Sequence, residues 1–324
     1  MFRFLAALLL LGASAVSATA QGNLVDRHEV IVSIPVRDDG LVGTWFPPTS
    51  GKRGPVIIVL GGSEGGEKGA ILVARALAEQ GYGALSLAYF RAEGLPGTLQ
   101  NVPLEYFDRA LVWLARQPLT DTGRMGIYGV SIGAETALLV ATRHPELKAV
   151  AVAVPSSVVW QGYDPGNYQS VESTYSLNGK GIPYLPYDTS LPFTGVYALY
   201  ANSLKALAKH PDTAIPVEKI EGAVLLLSAK ADTLWPSSEM SEQIMARLDA
   251  RKFSHPHRHV AFADAGHGAT LPPGSGPARE TGYNNLGGTE AGNIAARAGM
   301  WRETLAFFGE YLGKDKPAKG KSAR

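Results

Sequence analysis

The stretch that most constrains this chain is 126–135, Gly-Ile-Tyr-Gly-Val-Ser-Ile-Gly-Ala-Glu. An apolar run ends in Gly129-x-Ser131-x-Gly133, and a helix-forming run over 134–142 begins at once. Strand, sharp turn and helix in that order make a nucleophile elbow. Such a turn holds its serine in a strained conformation, with the hydroxyl raised above the sheet edge. Glycines on either side let neighbouring backbone approach without a Cβ clash. The helix N-terminus behind the serine favours negative charge developing there. Ser131 is therefore the expected nucleophile, and the rest of the chain must supply a base, an acid and oxyanion donors.

The surrounding pattern predicts a sheet suited to such an elbow. Segments 28–34 and 41–46 read as two strands joined by the turn Arg37-Asp38-Asp39-Gly40. Continuously apolar strands at 55–60, 84–90, 125–128, 149–154 and 223–227 then alternate with helical patterns at 69–80, 104–116 and 238–248. A short strand at 257–262 and a closing helix at 291–311 complete the chain. Repeated β-α units with strands apolar on both faces mean a parallel sheet covered by helices on each side. With two antiparallel strands in front, the fold class is α/β, of the α/β-hydrolase type. One segment, 155–216, breaks the alternation with Trp160, Tyr163, Tyr168, Tyr175, Tyr184, Tyr187, Phe193, Tyr197 and Tyr200. A long insertion just after a strand end is placed to cover the ligand crevice of an open α/β sheet. It is expected to be a cap, most of whose aromatics pack its own small core while a minority line a pocket.

Composition removes several alternatives. The chain has no cysteine, which excludes a disulfide framework, a thiolate zinc site and a cysteine nucleophile. A formal net charge of +1 argues against a nucleic-acid partner. Segment 1–20 reads as a signal peptide: Arg3, an apolar core over 4–11, and the small-residue cleavage pattern Ala18-Thr19-Ala20. Its apolar run is shorter than the roughly 20 residues of a membrane span. The expectation is export with cleavage near Ala20 and no stable membrane anchor. The basic stretch 313–324 reads as a disordered tail after a single domain over 21–312.

The elbow motif occurs twice, because Gly61-Gly62-Ser63-Glu64-Gly65 has the same spacing. Chain order separates the two. An α/β-hydrolase draws one oxyanion N–H from a loop that precedes the nucleophile. With Ser131 as nucleophile, 61–66 is that loop; with Ser63 as nucleophile, nothing upstream serves. The expected oxyanion hole is the backbone N–H of Ile132 plus that of Ser63. The plainer reading of 61–66 is a glycine-rich turn that lets strand and helix pack closely.

The order Ser, then acid, then His places the remaining groups. His267, in Ala265-Gly266-His267-Gly268, follows the last strand and is the expected base. Asp232 follows the 223–227 strand and is the expected acid. Asp264 competes but sits only three residues before His267, and Glu221 lies at the wrong end of its strand. His255, His257 and His259 alternate and would share one face of a strand. They offer no carboxylate at ligand spacing, so neither a metal nor any other cofactor is expected.

Several stretches together resemble the C-terminal catalytic domain shared by acyl-CoA thioester hydrolases and bile acid-CoA:amino acid N-acyltransferases. They are Gly61-Gly62-Ser63-Glu64-Gly65-Gly66, Leu87-Ala88-Tyr89-Phe90, Pro103-Leu104-Glu105-Tyr106-Phe107, the elbow itself, Asp232-Thr233-Leu234-Trp235-Pro236-Ser237, Ala265-Gly266-His267 and Leu286-Gly287-Gly288-Thr289-Glu290. The elbow is shared by many hydrolases; its combination with D-x-L-W-P-S and L-G-G-T is far more specific. The resemblance implies Ser131, Asp232 and His267 as the triad, and an acyl ester or thioester as the small-molecule partner. A serine nucleophile tilts the expectation towards hydrolysis rather than amidation. Full-length members also carry an N-terminal β-sandwich domain, which the short stretch ahead of residue 55 does not hold. The expected function is a serine ester or thioester hydrolase. The alternatives are an acyltransferase using the same site and a non-catalytic binding protein on the same fold.

Overall fold

The computed structural model describes residues 31–167, 169–275 and 286–313. The expected signal peptide and its cleavage site, and residues 314–324 of the expected tail, lie outside the described residues. Apolar strands need cover on both faces, and the element order supplies it. β1 (Ile34–Val36) and β2 (Val42–Phe46) form an antiparallel pair. Next come β3 (Gly54–Leu60), α1 (Lys68–Ala78), β4 (Gly83–Ala88) and the two-residue β5 (Val102–Pro103). α2 (Glu105–Ala115), β6 (Thr120–Val130), α3 (Ile132–Ala141) and β7 (Leu147–Ala153) follow. Within the inserted segment lie β8 (Tyr175–Leu177), β9 (Lys180–Gly181), α4 (Val196–Leu204) and short 3-10 turns at Leu207–Lys209 and Pro211–Thr213, and a third such turn, Val217–Lys219, follows it. β10 (Ala223–Ala229), α5 (Ser237–Ala250), β11 (His257–Phe262) and α6 (Glu290–Tyr311) close the chain.

Eight strands make one sheet in the order β1-β2-β4-β3-β6-β7-β10-β11. From β4 onward every neighbouring pair is parallel. Side chains alternate between two cores. Val56, Ile58 and Leu60 of β3 join Ala134, Leu138 and Leu139 of α3, with α2 and α5 on the same face. Ile57 and Val59 face the other way, against Val73 and Leu77 of α1 and Phe307 and Phe308 of α6. Strand order reverses between β3 and β6: from β3 the chain moves outward to β4, then returns to lay β6 on the other side of β3. The crevice above the C-terminal ends of those two strands is where open α/β sheets bind ligands. Loop 61–66 leaves β3 there, and Ser131 leaves β6 there.

All ten residues of α3 are buried. The helix lies on the sheet and beneath the inserted segment, which explains why its sequence is apolar apart from Glu135 and Thr136. The second sheet, β5-β8-β9, ties that segment to the main domain: Val102 pairs with Tyr175 and Pro103 with Ser176. Strands this short, joined across such a sequence separation, leave no local pattern to read. Among the described residues no helix is long and apolar enough to cross a membrane.

Candidate active site

Ser131 has φ 58° and ψ −124°, a conformation that residues with a Cβ rarely adopt. It is the N-cap of α3 but does not cap it, so its hydroxyl is free for other partners. The flanking glycines are required by packing. A Cβ on Gly129 would overlap the Gly133 carbonyl, and one on Gly133 would overlap Gly61 O and come within 2.6 Å of Leu60 O. A second outlier lies one strand away: Val154, β-branched, has φ 46° at the end of β7. Backbone strain thus gathers at the strand ends that meet the crevice.

The structure brings Ser131, His267 and Asp232 into one hydrogen-bonded chain. His267 Nε2 lies 2.8 Å from Ser131 Oγ, and His267 Nδ1 lies 2.8 Å from Asp232 Oδ2. A carboxylate only accepts, so Nδ1 carries the proton and Nε2 is left to accept from the serine hydroxyl. All three residues are buried. Asp232 is held by its own motif. Its Oδ1 accepts from the N–H groups of Leu234 (2.8 Å) and Trp235 (3.1 Å), and its Oδ2 accepts from Ser237 Oγ at 2.8 Å. Trp235 also packs its ring edge-on to the imidazole at 5.5 Å, and its Nε1 donates to Val154 O. The D-x-L-W-P-S pattern is therefore a device for one carboxylate and its histidine.

The L-G-G-T segment laces the acid loop to the base loop. Leu286 O accepts from the N–H groups of both Thr233 (3.3 Å) and His267 (2.9 Å). Gly288 N–H donates to Ala231 O, and Thr289 N–H to Asp264 O, each at 3.0 Å. Gly287 and Gly288 have φ 89° and 74°, and a Cβ on either would overlap backbone atoms of those loops. Asn293, on the first turn of α6, finishes the join: its Oδ1 accepts from Gly266 N–H at 2.7 Å and its Nδ2 donates to Gly287 O at 3.1 Å. Reasoning from sequence missed Asn293. Two consecutive glycines followed by a helix-capping threonine are the signal that pointed towards it.

Loop 61–66 is shaped by its own side chains. Glu64 Oε1 accepts from Gly62 N–H at 3.1 Å, and Tyr89 Oη donates to Gly61 O at 2.8 Å. These contacts leave the next N–H, that of Ser63, without a protein acceptor among the described residues; the Ile132 N–H is likewise without one. Both residues line the cavity that holds Ser131. His267 engages Ser131, and Ser63 has no imidazole partner among the described residues.

That cavity has a volume of about 700 Å³. One part of its wall is aromatic: Trp160 stacks near Tyr187, and Tyr200 meets Trp160, Tyr187 and Trp235 edge-on. Trp160, Tyr163, Tyr187, Phe193 and Tyr200 all line it, so more of the insertion's aromatics face the cavity than the expected minority. The reason is that the insertion's own core is small and completed by Trp235 and Met240 from the main domain. Glu135 fastens the two parts together. It is fully buried on α3, and its Oε1 accepts from Trp160 N–H at 3.2 Å. Burial pushes its carboxyl well above the usual glutamate range.

The other candidates lie apart from the chain of three. The Asp264 side chain is exposed, and its main-chain carbonyl serves Thr289. Glu221 pairs with His255. His257 pairs with Asp249, and His259 bonds Ser228 Oγ at 2.7 Å. Only His257 and His259 lie on β11, and the three imidazoles turn to separate partners. Among the described residues no cluster of His, Asp and Glu is arranged to hold a metal ion.

A sheet of this order, with a strained serine after its central strand and a histidine and an aspartate on two later loops, defines an α/β-hydrolase. A solved α/β-hydrolase from a Medee basin deep-sea metagenome, MGS-M1, has the same fold, with a TM-score of 0.54, 17% identity, and 87% of this chain and 97% of that one covered. Residues 102–314 match the BAAT / acyl-CoA thioester hydrolase C-terminal family, and the chain belongs to that family. It is 30% identical to acyl-coenzyme A thioesterase 6 of Mus musculus over 88% of this chain and 67% of that one. It is 28% identical to acyl-coenzyme A thioesterase 1 of Homo sapiens over 86% and 65%. The chain thus spans about two thirds of the length of these relatives. Both relatives are named as enzymes that cleave acyl-coenzyme A thioesters.

Proposed function

We propose that this protein hydrolyses acyl esters or thioesters through an acyl-enzyme on Ser131. The observation that carries the reading is the pair of 2.8 Å contacts joining Ser131 Oγ, His267 and Asp232 Oδ2. His267 takes the hydroxyl proton at Nε2 as Ser131 Oγ attacks the acyl carbonyl. Asp232, held by two N–H groups and a hydroxyl, keeps the imidazole tautomer and offsets the charge that forms on the ring. The tetrahedral oxyanion is bound by the free N–H groups of Ile132 and Ser63, a type of contact worth about 3 kcal/mol per donor in the barrier. The imidazolium then gives its proton to the departing thiolate or alkoxide, which leaves as the thiol or alcohol, and a water activated by the same histidine attacks the acyl-enzyme and releases the acid. Segment 155–216 serves as the cap that walls the acyl site. The relatives' printed names favour acyl-coenzyme A thioesters as substrates.

The test is Ser131→Ala against a panel of acyl esters and thioesters, with an active-site phosphonate as a label. Turnover and labelling are expected in the wild type and lost in the variant, at about 10⁶-fold in kcat for a residue of this role. Equal turnover by the two proteins would sink the reading. Export with cleavage near Ala20 belongs to the same proposal, and the N-terminal sequence of the protein made in its own host tests it.

A further inference from the structure

Beside the oxyanion loop lies a cation that the reaction above does not use. Arg91 lines the cavity together with Ser63, Ser131 and Ile132. It follows the Tyr89-Phe90 pair at the end of β4, and its backbone is fixed: φ is 51°, and its N–H donates to Pro96 O at 2.7 Å. Its side chain is seated as well. The guanidinium lies over the Phe90 ring at 5.7 Å and donates to Ser63 O at 3.5 Å. The stem packs against Gly65, where a Cβ would come within 2.7 Å of Arg91 Cβ and 3.0 Å of its Cδ. The glycine-rich loop therefore makes room for this arginine as well as for the oxyanion. Among the described residues no carboxylate pairs with Arg91. The cavity's acidic residue, Asp164, accepts from Gly166 N–H at 2.8 Å.

An arginine held in place, with its fork towards solvent and no anionic partner, is prepared for a planar or tetrahedral oxyanion. Less of its side-chain freedom is lost on binding than for a loose surface residue. Its contact with the Ser63 carbonyl puts it one residue's length from the expected oxyanion donor.

We propose that Arg91 is an anion-binding subsite of this cavity, which selects acyl esters or thioesters carrying a carboxylate or phosphate close to the scissile carbonyl. This rests on the assignment of Ser131 as nucleophile. The anion belongs either to the acyl group, as in a half-ester of a dicarboxylic acid, or to the leaving group, as in a thiol that carries a carboxylate beside its sulfur.

Two substrate pairs decide it. p-Nitrophenyl hemisuccinate against p-nitrophenyl butyrate places a charge on the acyl side; S-butyryl thioglycolate against S-butyryl thioglycolamide places one on the leaving group, beside the sulfur. The readout is the ratio of kcat/KM for the charged over the neutral member, in wild type, Arg91→Gln and Arg91→Lys. We expect Arg91→Gln to lower the ratio about tenfold in one pair, the scale of one charge-assisted hydrogen bond, and that pair names the source of the anion. Arg91→Lys should retain part of the ratio, and added salt should lower it in the wild type. Ratios within about twofold of wild type in both pairs would overturn the subsite while leaving the hydrolase intact. Failure of the wild type to turn over any of the four would overturn the assignment of Ser131, and the subsite with it.

Discussion

Replacing Asn293 by alanine removes the two hydrogen bonds that join the base loop to the L-G-G-T segment. The Gly266 N–H is buried and would lose its acceptor, at about 1–3 kcal/mol, and the lost bond to Gly287 O adds about 1 kcal/mol. The expected destabilisation is about 2–4 kcal/mol, a fall in melting temperature of about 3–7 °C for a domain of this size. Activity should fall further than stability alone requires. Gly266 precedes His267, and a displacement of roughly 1 Å at a catalytic group costs on the order of 10²-fold. Asn293 does not line the cavity, so the loss should sit in kcat and leave KM nearly unchanged. The assay is steady-state hydrolysis of a p-nitrophenyl ester well below the variant's melting midpoint, with the midpoint measured alongside. Asn293→Asp keeps an acceptor for Gly266 N–H but loses the donor to Gly287 O, and should fall between. If Asn293→Ala melts early yet keeps kcat within about twofold of wild type, the residue only supports the fold and the positioning argument is wrong.

Two further perturbations test the packing around the elbow. Burial raises the Glu135 carboxyl well above the value of about 4.5 at which an unfolded glutamate titrates. From that pH upward the unfolded state holds fewer protons at this residue than the folded one, so the contribution of Glu135 to stability falls as pH rises, by about 1.4 kcal/mol per unit until the folded carboxyl ionises. Glu135→Gln has no such slope, and its stability advantage over wild type in denaturant titrations should widen between pH 5 and pH 8; a constant gap refutes the neutral carboxyl. Gly133→Ala drives a Cβ into main-chain oxygens of Gly61 and Leu60, which no rotamer change relieves. We expect kcat/KM to fall by about 10²-fold or more, and a variant as active as wild type would show that the elbow helix has room to retreat.

Much of this site is legible along the chain because its parts sit at punctuation marks of the fold. Ser131 and Asp232 follow the ends of apolar strands and His267 follows the short last strand, and the sequence order alone separates Ser131 from the equally spaced Ser63. The central strands and the helices that cover them are equally plain, since a parallel sheet buried on both faces demands continuous apolar runs. The elbow glycines too are set locally, because strand, turn and helix meet within ten residues.

Other features arise only when distant segments meet. β5 and β8 pair across the main domain and the insertion, and two residues of strand have no periodicity to detect. Asn293 is an ordinary polar residue on a helix until folding sets it against Gly266 and Gly287. Glu135 reads as a helix former, and only its enclosure by the sheet and the inserted segment makes it a buried acid. Arg91 is one arginine among many in a chain of near-zero net charge; the loop that seats it, and the lack of a carboxylate paired with it among the described residues, are facts of tertiary packing. Local sequence determined where chain direction changes and which residue types stand there. Burial, close approach and the pairing of charges depend on what lies across the fold, and only the tertiary structure decided those.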